Sequence, residues 1–291
     1  MLFPFFILLA CALLAQAHDG SGCGTAPPSP EFLAVGRQFA ERESIARHDN
    51  RISRVKRTIE VDVYLHTVAT SRDKLVSVGT SWASTPSEKT DPRVKISTLH
   101  RQFAVLLKSY LPYGITFNLR GTTETINTKW SRDGDEMGMK RALRSGGYRA
   151  LNIYYVEDLH GDLGYCYYPT DAAQGSEDFY RDGCSVLSST VPGGSMVDFR
   201  LGKTSVHEAG HWFGLIHTFE GGCVGDNDLV DDTPAQASAS AGCPKGRDSC
   251  PLKPGLDPIH NYMDYSSDEC YSEFTNGQID RIHSFWDRYR R

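Results

Sequence analysis

The sequence has no surplus of basic residues and no long apolar run beyond its first residues. Lys and Arg number 31 against 36 Asp and Glu, which gives a formal net charge of −5. Nucleic-acid binding without sequence preference needs a basic face that neutralises phosphates, so this class of partner is not expected. A membrane span needs about 20 apolar residues, and no segment after residue 17 supplies them. The 27 glycines show no three-residue period, which excludes collagen.

The apolar run at the amino terminus is typical of a signal peptide. Residues 2–15 carry no charge and are followed by Ala15-Gln16-Ala17, a small-x-small pattern that signal peptidase accepts. A membrane anchor is the alternative, but polarity begins at Gln16, too early for a span. We therefore predict a signal peptide over residues 1–17 and a secreted, extracellular protein.

A basic cluster marks a second processing site. Arg51-Ile52-Ser53-Arg54-Val55-Lys56-Arg57 is followed by alternating apolar residues from 59 to 65, which predict a strand. Basic residues just ahead of a first core strand favour removal of a pro-segment, residues 18–57, although a solvated charged surface is the alternative. The pro-segment has a surplus of two positive charges, so the remaining domain, residues 58–291, has a net charge of −7.

The sequence has no Cys-x-x-Cys pair, which disfavours a zinc site built from cysteines. Two of the eight cysteines, Cys11 and Cys23, precede residue 58. An even number of the rest in an oxidising compartment predicts up to three disulfides, with the pairing left open. Those six are Cys166, Cys184, Cys223, Cys243, Cys250 and Cys270.

The apolar pattern of the domain indicates a mixed α and β fold. Two stretches, 157–183 and 221–257, have no sustained period and are predicted to be loops. Strands are predicted at 59–65, 115–119, 151–156 and 185–189, and helices at 91–110, 136–143, 204–213 and 278–289.

One segment concentrates the residues that carry chemistry. His207, Glu208, His211, Gly214 and His217 form the pattern H-E-x-x-H-x-x-G-x-x-H. Residues four apart on a helix differ by about 40° around its axis, so the first two histidines project from one face. Gly214 can turn the chain out of the helix and let His217 return. Three imidazoles suit Zn²⁺ with a fourth position left for water, and Glu208 is placed to accept that water's proton.

Two other interpretations of this segment compete with a catalytic zinc site. Ser205 and Glu208 also fit a helix capping box, and histidine pairs four apart are common on ordinary helices. A structural zinc site is the stronger alternative. Structural sites normally close the fourth position with protein, however, and the pattern supplies no obvious fourth ligand.

Residues after the motif resemble those of a known family. The third histidine and Met263, within Asn261-Tyr262-Met263-Asp264-Tyr265, resemble the metzincin metalloproteases and their Met-turn. Thr218 argues against astacin-like and reprolysin-like members. The Met263 stretch, extended back to Asp257-Pro258-Ile259-His260, and five further stretches resemble the pappalysin family, which includes secreted fungal metalloproteases: Gly221-Gly222-Cys223, Gly225-Asp226, Asp232-Thr233-Pro234, Gly242-Cys243-Pro244 and Phe274-Thr275-x-Gly277-Gln278.

The resemblance covers Thr58 to the C terminus, is most specific from Ser185 onward, and implies an α+β metzincin-like zincin. An N-terminal twisted sheet with helices would lie above an irregular C-terminal subdomain that carries His217 and the Met-turn. The resemblance also implies a Cys243–Cys270 disulfide and a role for Tyr265 in stabilising the oxyanion.

The resemblance further implies a preference for a basic residue after the scissile bond. Asp268 and Glu269 are candidates for that pocket, although exposed loop carboxylates are an equal alternative. The acidic stretch that holds Asp226, Asp228, Asp231 and Asp232 either binds Ca²⁺, as family members can, or is a solvated loop.

Cys23 in the pro-segment has two interpretations. Its thiolate is able to ligate zinc and keep a zymogen inactive until cleavage near Arg57, or the thiol is unremarkable. We expect a secreted zinc endopeptidase, made as a zymogen, that acts on protein or peptide substrates. The alternative is a non-catalytic secreted binding module that keeps zinc for structure.

Overall fold

The computed structural model describes residues 22–48, 57–76 and 97–291. The predicted signal peptide, the basic residues at 51–56 and the first turns of the helix predicted from residue 91 lie outside these ranges. Within them, no helix combines the length and apolar character that a membrane crossing requires.

A five-stranded sheet forms the first half of the domain. Its strands lie in the order β2-β1-β3-β5-β4, with β4 at one edge. The β1–β2, β1–β3 and β3–β5 pairs are parallel, and β4 runs antiparallel to β5. All of β3 is buried, as in parallel sheets covered on both faces. The strand bounds are β1 Ile59–Ala69, β2 Ile115–Ile126, β3 Leu151–Val156, β4 Gly164–Cys166 and β5 Cys184–Leu187.

The described residues form six α-helices. Three of them bury apolar residues, Leu106, Val206 and Ile282 among them, in one core with Val63 of the sheet. Met139 packs with Tyr154 in a second cluster. The helix bounds are α1 Pro30–His48, α2 Thr98–Tyr110, α3 Glu136–Leu143, α4 Glu177–Arg181, α5 Thr204–Trp212 and α6 Asn276–Phe285.

The predicted elements are present with corrected bounds. β3 and α3 have the predicted limits. β2 runs past the predicted residue 119 because it pairs with β1 along its whole length. The part of β2 after residue 119 is largely exposed and has no apolar period, so the sequence pattern did not indicate it. The prediction of a loop over 157–183 was wrong in part, since β4 and α4 lie there. A π-helical turn, Trp286–Arg290, continues α6.

The chain between α5 and α6 is irregular, as expected, and disulfides fasten it. Cys243–Cys270, the pairing that the resemblance implies, is present, and Cys223–Cys250 lies in the same region. Cys166–Cys184 joins the neighbouring strands β4 and β5. Among the described residues, Cys23 is the free cysteine, and it is buried.

Candidate metal and catalytic site

The three motif histidines converge at the end of α5. His207 and His211 lie one turn apart, and the chain then leaves the helix at Gly214, whose φ of +100° is left-handed. A Cβ at that position would lie 2.5 Å from the Phe285 ring, so both the turn and the packing need glycine. His217 thereby returns to the helix face. The Nε2 atom of His211 lies 3.1 Å from Nε2 of His207 and 3.1 Å from Nε2 of His217.

Hydrogen bonds and burial leave these rings suited to a cation. Nδ1 of His207 lies 2.7 Å from the Tyr262 carbonyl, and Nδ1 of His211 lies 2.8 Å from the Leu215 carbonyl. A carbonyl accepts only, so each Nδ1 carries the proton and each Nε2 offers a lone pair. Burial lowers the pKa of His207 to about 4 and that of His211 well below its usual range. Neutral imidazoles with facing lone pairs are a donor set that fits Zn²⁺.

A fourth potential donor, Cys23, comes from the residues that precede α1. The Cys23 sulfur and one ring nitrogen from each of the three histidines lie within 4.8 Å of one another. Hydrogen bonds between backbones hold this part of the chain along β4: Gly24 N–H donates to the Gly164 carbonyl at 2.8 Å, and Leu163 N–H donates to the Gly22 carbonyl at 2.9 Å. Burial, together with the nearby carboxyl of Glu208, raises the pKa of Cys23. Residues 22–24 therefore lie across the cleft.

Glu208 lies beside the converging rings with its carboxyl group buried. Its Oε2 accepts from the Cys23 thiol at 3.4 Å and from the Thr25 hydroxyl at 3.3 Å. Its Oε1 is buried and has no hydrogen-bond partner among the described residues. Burial raises the pKa of this carboxyl to about 8. A carboxyl in such surroundings is able to hold a proton near neutral pH, which is what a general acid and base requires.

The Met-turn packs directly beneath α5. A Cβ at Gly210 would overlap the Met263 sulfur, so this close approach requires glycine. The carbonyl of Met263 accepts from Thr218 N–H at 3.2 Å. Asn261 and Gln278 exchange amide hydrogen bonds of 2.8 and 3.1 Å, which fasten the turn to α6. These contacts fix the floor of the site.

Tyr265 reaches the cleft from this floor. Its hydroxyl donates to the Cys23 carbonyl at 3.1 Å, and its ring lies 4.9 Å from the His217 ring. Burial raises the pKa of the phenol, so it stays protonated as a donor. In this structure the Cys23 backbone carbonyl already accepts the hydrogen bond from that phenol.

The two carboxylates predicted for a substrate pocket have different surroundings. Asp268 is buried and accepts from Leu201 N–H at 2.7 Å through Oδ2, whereas its Oδ1 has no hydrogen-bond partner within the described ranges. Burial raises the pKa of Asp268 to about 6. Glu269 is exposed. Neither lines the small cavity formed by Gly22, Cys23, Leu163, Phe199, Thr204, His207, Glu208, Tyr265 and Tyr271.

The four aspartates of the acidic stretch do not converge. In the part of the chain that the structure describes, groups of at least three potential ligand atoms within 4.8 Å occur at two places, and neither includes these aspartates. Asp228 is buried, its Oδ1 accepts from Val230 N–H at 3.0 Å, and burial raises its pKa to about 7. The others are paired elsewhere: Asp226 with Arg37 at 3.0 Å, Asp231 with Arg47 at 2.8 Å, and Asp232 with Gly277 N–H at 2.8 Å.

Sequence reasoning missed the wall of the cleft. Residues that precede α1 lie along the edge strand β4. The Thr25 hydroxyl donates to Glu208 and accepts from the Cys166 N–H, at 2.9 Å from the latter. A three-residue strand is too short to show a period, and a threonine in a Gly-rich stretch carries no pattern. The Gly-Tyr-Cys-Tyr-Tyr run from 164 to 168 was the available signal.

Known proteins share both the sequence and the fold. The model of a family described as pregnancy-associated plasma protein-A matches residues 151–287. An extracellular metalloprotease of Podospora anserina is 50% identical over 99% of this chain and 98% of its own length. Extracellular metalloprotease 1 of Coccidioides posadasii is 50% identical over 98% of this chain and 96% of its own. Mature mirolysin of Tannerella forsythia, solved with a cleaved peptide, is 23% identical and superposes over 79% of this chain and 92% of its own with a TM-score of 0.61.

Proposed function

Since the chain belongs to the pappalysin family of metalloendopeptidases, we propose that its metal is zinc, held by His207, His211 and His217. Membership implies protein or peptide substrates. The observation that carries the proposal is the convergence of three buried imidazoles, in which Nε2 of His211 lies 3.1 Å from Nε2 of His207 and 3.1 Å from Nε2 of His217.

The residues of the site divide the work of peptide hydrolysis. Bound zinc supplies a Lewis acid for a substrate carbonyl and for water. Glu208 takes a proton from the attacking water and returns it to the leaving amine, a role that its buried carboxyl supports. Tyr265 donates a hydrogen bond from its phenol to the substrate oxygen on which negative charge develops. Its hydrogen bond to the Cys23 carbonyl supports that role.

The same proposal includes secretion and latency. A signal peptide over residues 1–17 directs export, a pro-segment over 18–57 is removed, and 58–291 is the catalytic domain. Cys23 keeps the precursor latent by supplying its thiolate as the fourth zinc ligand. The distance of the sulfur from the ring nitrogens, within 4.8 Å, supports this assignment.

The proposal extends to a preference for a basic residue after the scissile bond. A cation in the substrate is best bound by a carboxylate that the protein leaves without a full set of donors. Asp268, with one buried oxygen lacking a partner among the described residues, suits this role better than the exposed Glu269.

We further propose that Ca²⁺ binds around Asp228. Calcium prefers oxygen ligands, and buried side-chain oxygens of Asn227, Asp228 and Thr233 have no hydrogen-bond partner within the described part of the chain. Titration calorimetry of the processed protein should show Ca²⁺ binding that Asp228→Asn weakens. The absence of any Ca²⁺-dependent heat would leave the stretch a solvated acidic loop.

Digestion of a casein or peptide library by protein processed at Arg57 tests the function. We expect hydrolysis that a chelator abolishes and Zn²⁺ restores, with cleavage enriched before basic residues. A folded, zinc-loaded protein that cleaves nothing would instead favour the non-catalytic binding module. The Asp268→Asn variant should reduce the basic preference while it retains hydrolysis.

A further inference from the structure

Helix α1 of the pro-segment occupies a groove on the flank of the catalytic domain. The groove, which we call the α1 groove, is formed by Tyr168, Ile216, Leu229, Arg281 and Phe285. We propose that the α1 groove is a second binding surface for the pro-segment, independent of the zinc site, that retains the segment after the chain is cut between residues 48 and 58. This inference rests on the proposed function only in assuming that the chain is processed there.

Aromatic packing forms the apolar part of the interface. The Phe32 ring stacks on the Phe285 ring at 4.6 Å and tilts against Tyr168 at 4.5 Å. Phe39, two turns later on α1, meets the same Phe285 ring edge-on at 5.0 Å. Both phenylalanines of α1 are buried. Such aromatic pairs are stabilising beyond the area that they remove from water.

A buried ion pair lies beside these rings. Arg281 is 3% exposed, and its Nη2 and Nε donate to the Glu43 carboxylate at 3.0 and 3.2 Å. The Ser284 hydroxyl donates to the same carboxylate at 2.7 Å. Removal of Glu43 would leave the guanidinium in the groove without its counter-charge, and buried pairs broken in this way are strongly destabilised. The groove is therefore specific for a helix that carries a carboxylate at this position.

Charges around the groove match those of α1. Arg47 contacts Asp231 at 2.8 Å and Asp280 at 3.2 Å, and Arg37 contacts Asp226 at 3.0 Å. Helix α1 carries three Arg and three Glu and has no net charge, so the electrostatic match comes from these individual pairs. These partly exposed pairs steer association and weaken with added salt.

The α1 groove acts apart from the thiol in the cleft. Cys23 precedes α1 by several residues. The aromatic contacts and ion pairs of α1 are made to side chains other than the three motif histidines and Glu208. A cut in the basic cluster removes the covalent link but leaves every one of these contacts in place. Processing therefore yields a bound fragment, and full exposure of the cleft requires a second cut within the segment or its dissociation by dilution.

The test uses the full chain with Glu208→Gln and a recognition sequence for an unrelated site-specific protease in place of residues 51–56. After that protease has cut the chain, size-exclusion chromatography and native mass spectrometry should find the fragment still bound at micromolar concentration. Cys23→Ala should leave it bound, because the groove contacts persist. A fragment that separates on cutting, or that needs Cys23 to stay, would overturn the proposal.

Competitor peptides test the specificity of the α1 groove without a substitution in the groove that could impair folding of the protein. A peptide of residues 29–48, which lacks Cys23, should displace the bound fragment. Loss of a charge-assisted hydrogen bond reduces affinity by about tenfold or more, so the Glu43→Ala peptide should compete at least that much less well. The Glu41→Ala peptide, changed at an exposed position of α1, should match the unmodified one. Equal competition by the two variants would refute the groove.

These readouts measure binding alone and need neither zinc nor hydrolysis. A failure of the peptidase proposal would appear as an inactive processed protein, whatever the fragment does. A failure of the α1 groove would appear as a lost fragment, whatever the activity.

Discussion

Asp182 is the buried charge that fastens the C-terminal segment to the motif helix. Its carboxylate accepts from Arg290 at 2.7 Å, from the Trp212 indole at 3.1 Å and from Arg144 at 3.2 Å. The Arg290 guanidinium also lies 3.7 Å from the centre of the Trp212 ring and donates to the Trp212 carbonyl. Arg290 therefore supports the end of α5, next to the motif histidines.

Replacement of Arg290 by alanine should destabilise the fold strongly. Breaking a buried pair costs about 3–5 kcal/mol when the remaining charge loses its partner. Asp182 keeps Arg144 but loses Arg290, so we expect a loss near the lower end of that range. Arg288→Ala is the matched control, since its pair with Asp171 is largely exposed and such pairs contribute about 1 kcal/mol or less. Urea unfolding of both variants in the Glu208→Gln background measures the difference. Equal losses would show that the Asp182 network has no special role.

At the residue scale, the sequence predicted what depends on local spacing. His207 and His211 share one helix face by periodicity, and Gly214 indicates the turn that brings His217 back. The surroundings of the acidic stretch were not predictable. Two of its aspartates pair with arginines of α1, nearly 200 residues earlier in the chain, and no local pattern records such pairs.

At the element scale, predictability follows the strength of the apolar period. β3 is buried throughout and α3 has sharp limits, so both were predicted to the residue. α1 was missed, because its few buried apolar side chains do not form a continuous stripe and its stability depends on the α1 groove. β4 was missed because three residues show no period, yet this edge strand is the wall against which the pro-segment lies.

At the scale of the whole molecule, residues 22–48 are fastened at two places. Residues 22–25 lie along β4 and reach the three motif histidines, while α1 covers the flank of α6. In our proposals, the first contact provides latency and the second provides retention.

A Cys23→Ala precursor should lose part of its latency. Without the thiol, one of the proposed zinc ligands would be lost, although backbone hydrogen bonds still hold the segment on β4. Initial rates on a short fluorogenic peptide should exceed those of the unmodified precursor while gels show the chain intact. Ser44→Ala, at an exposed position of α1, is the control and should stay latent. Full latency of the cysteine variant would rule out the switch.

The most direct test of the central claim is the activity of the Glu208→Gln enzyme after processing. The amide keeps the shape of the side chain, so zinc content and the thermal transition should match the unmodified enzyme. The amide accepts no proton, however, and cannot act as the base. Loss of general acid–base catalysis should reduce hydrolysis by about 10²–10⁴-fold. Undiminished peptide hydrolysis by a zinc-loaded Glu208→Gln enzyme would contradict the mechanism.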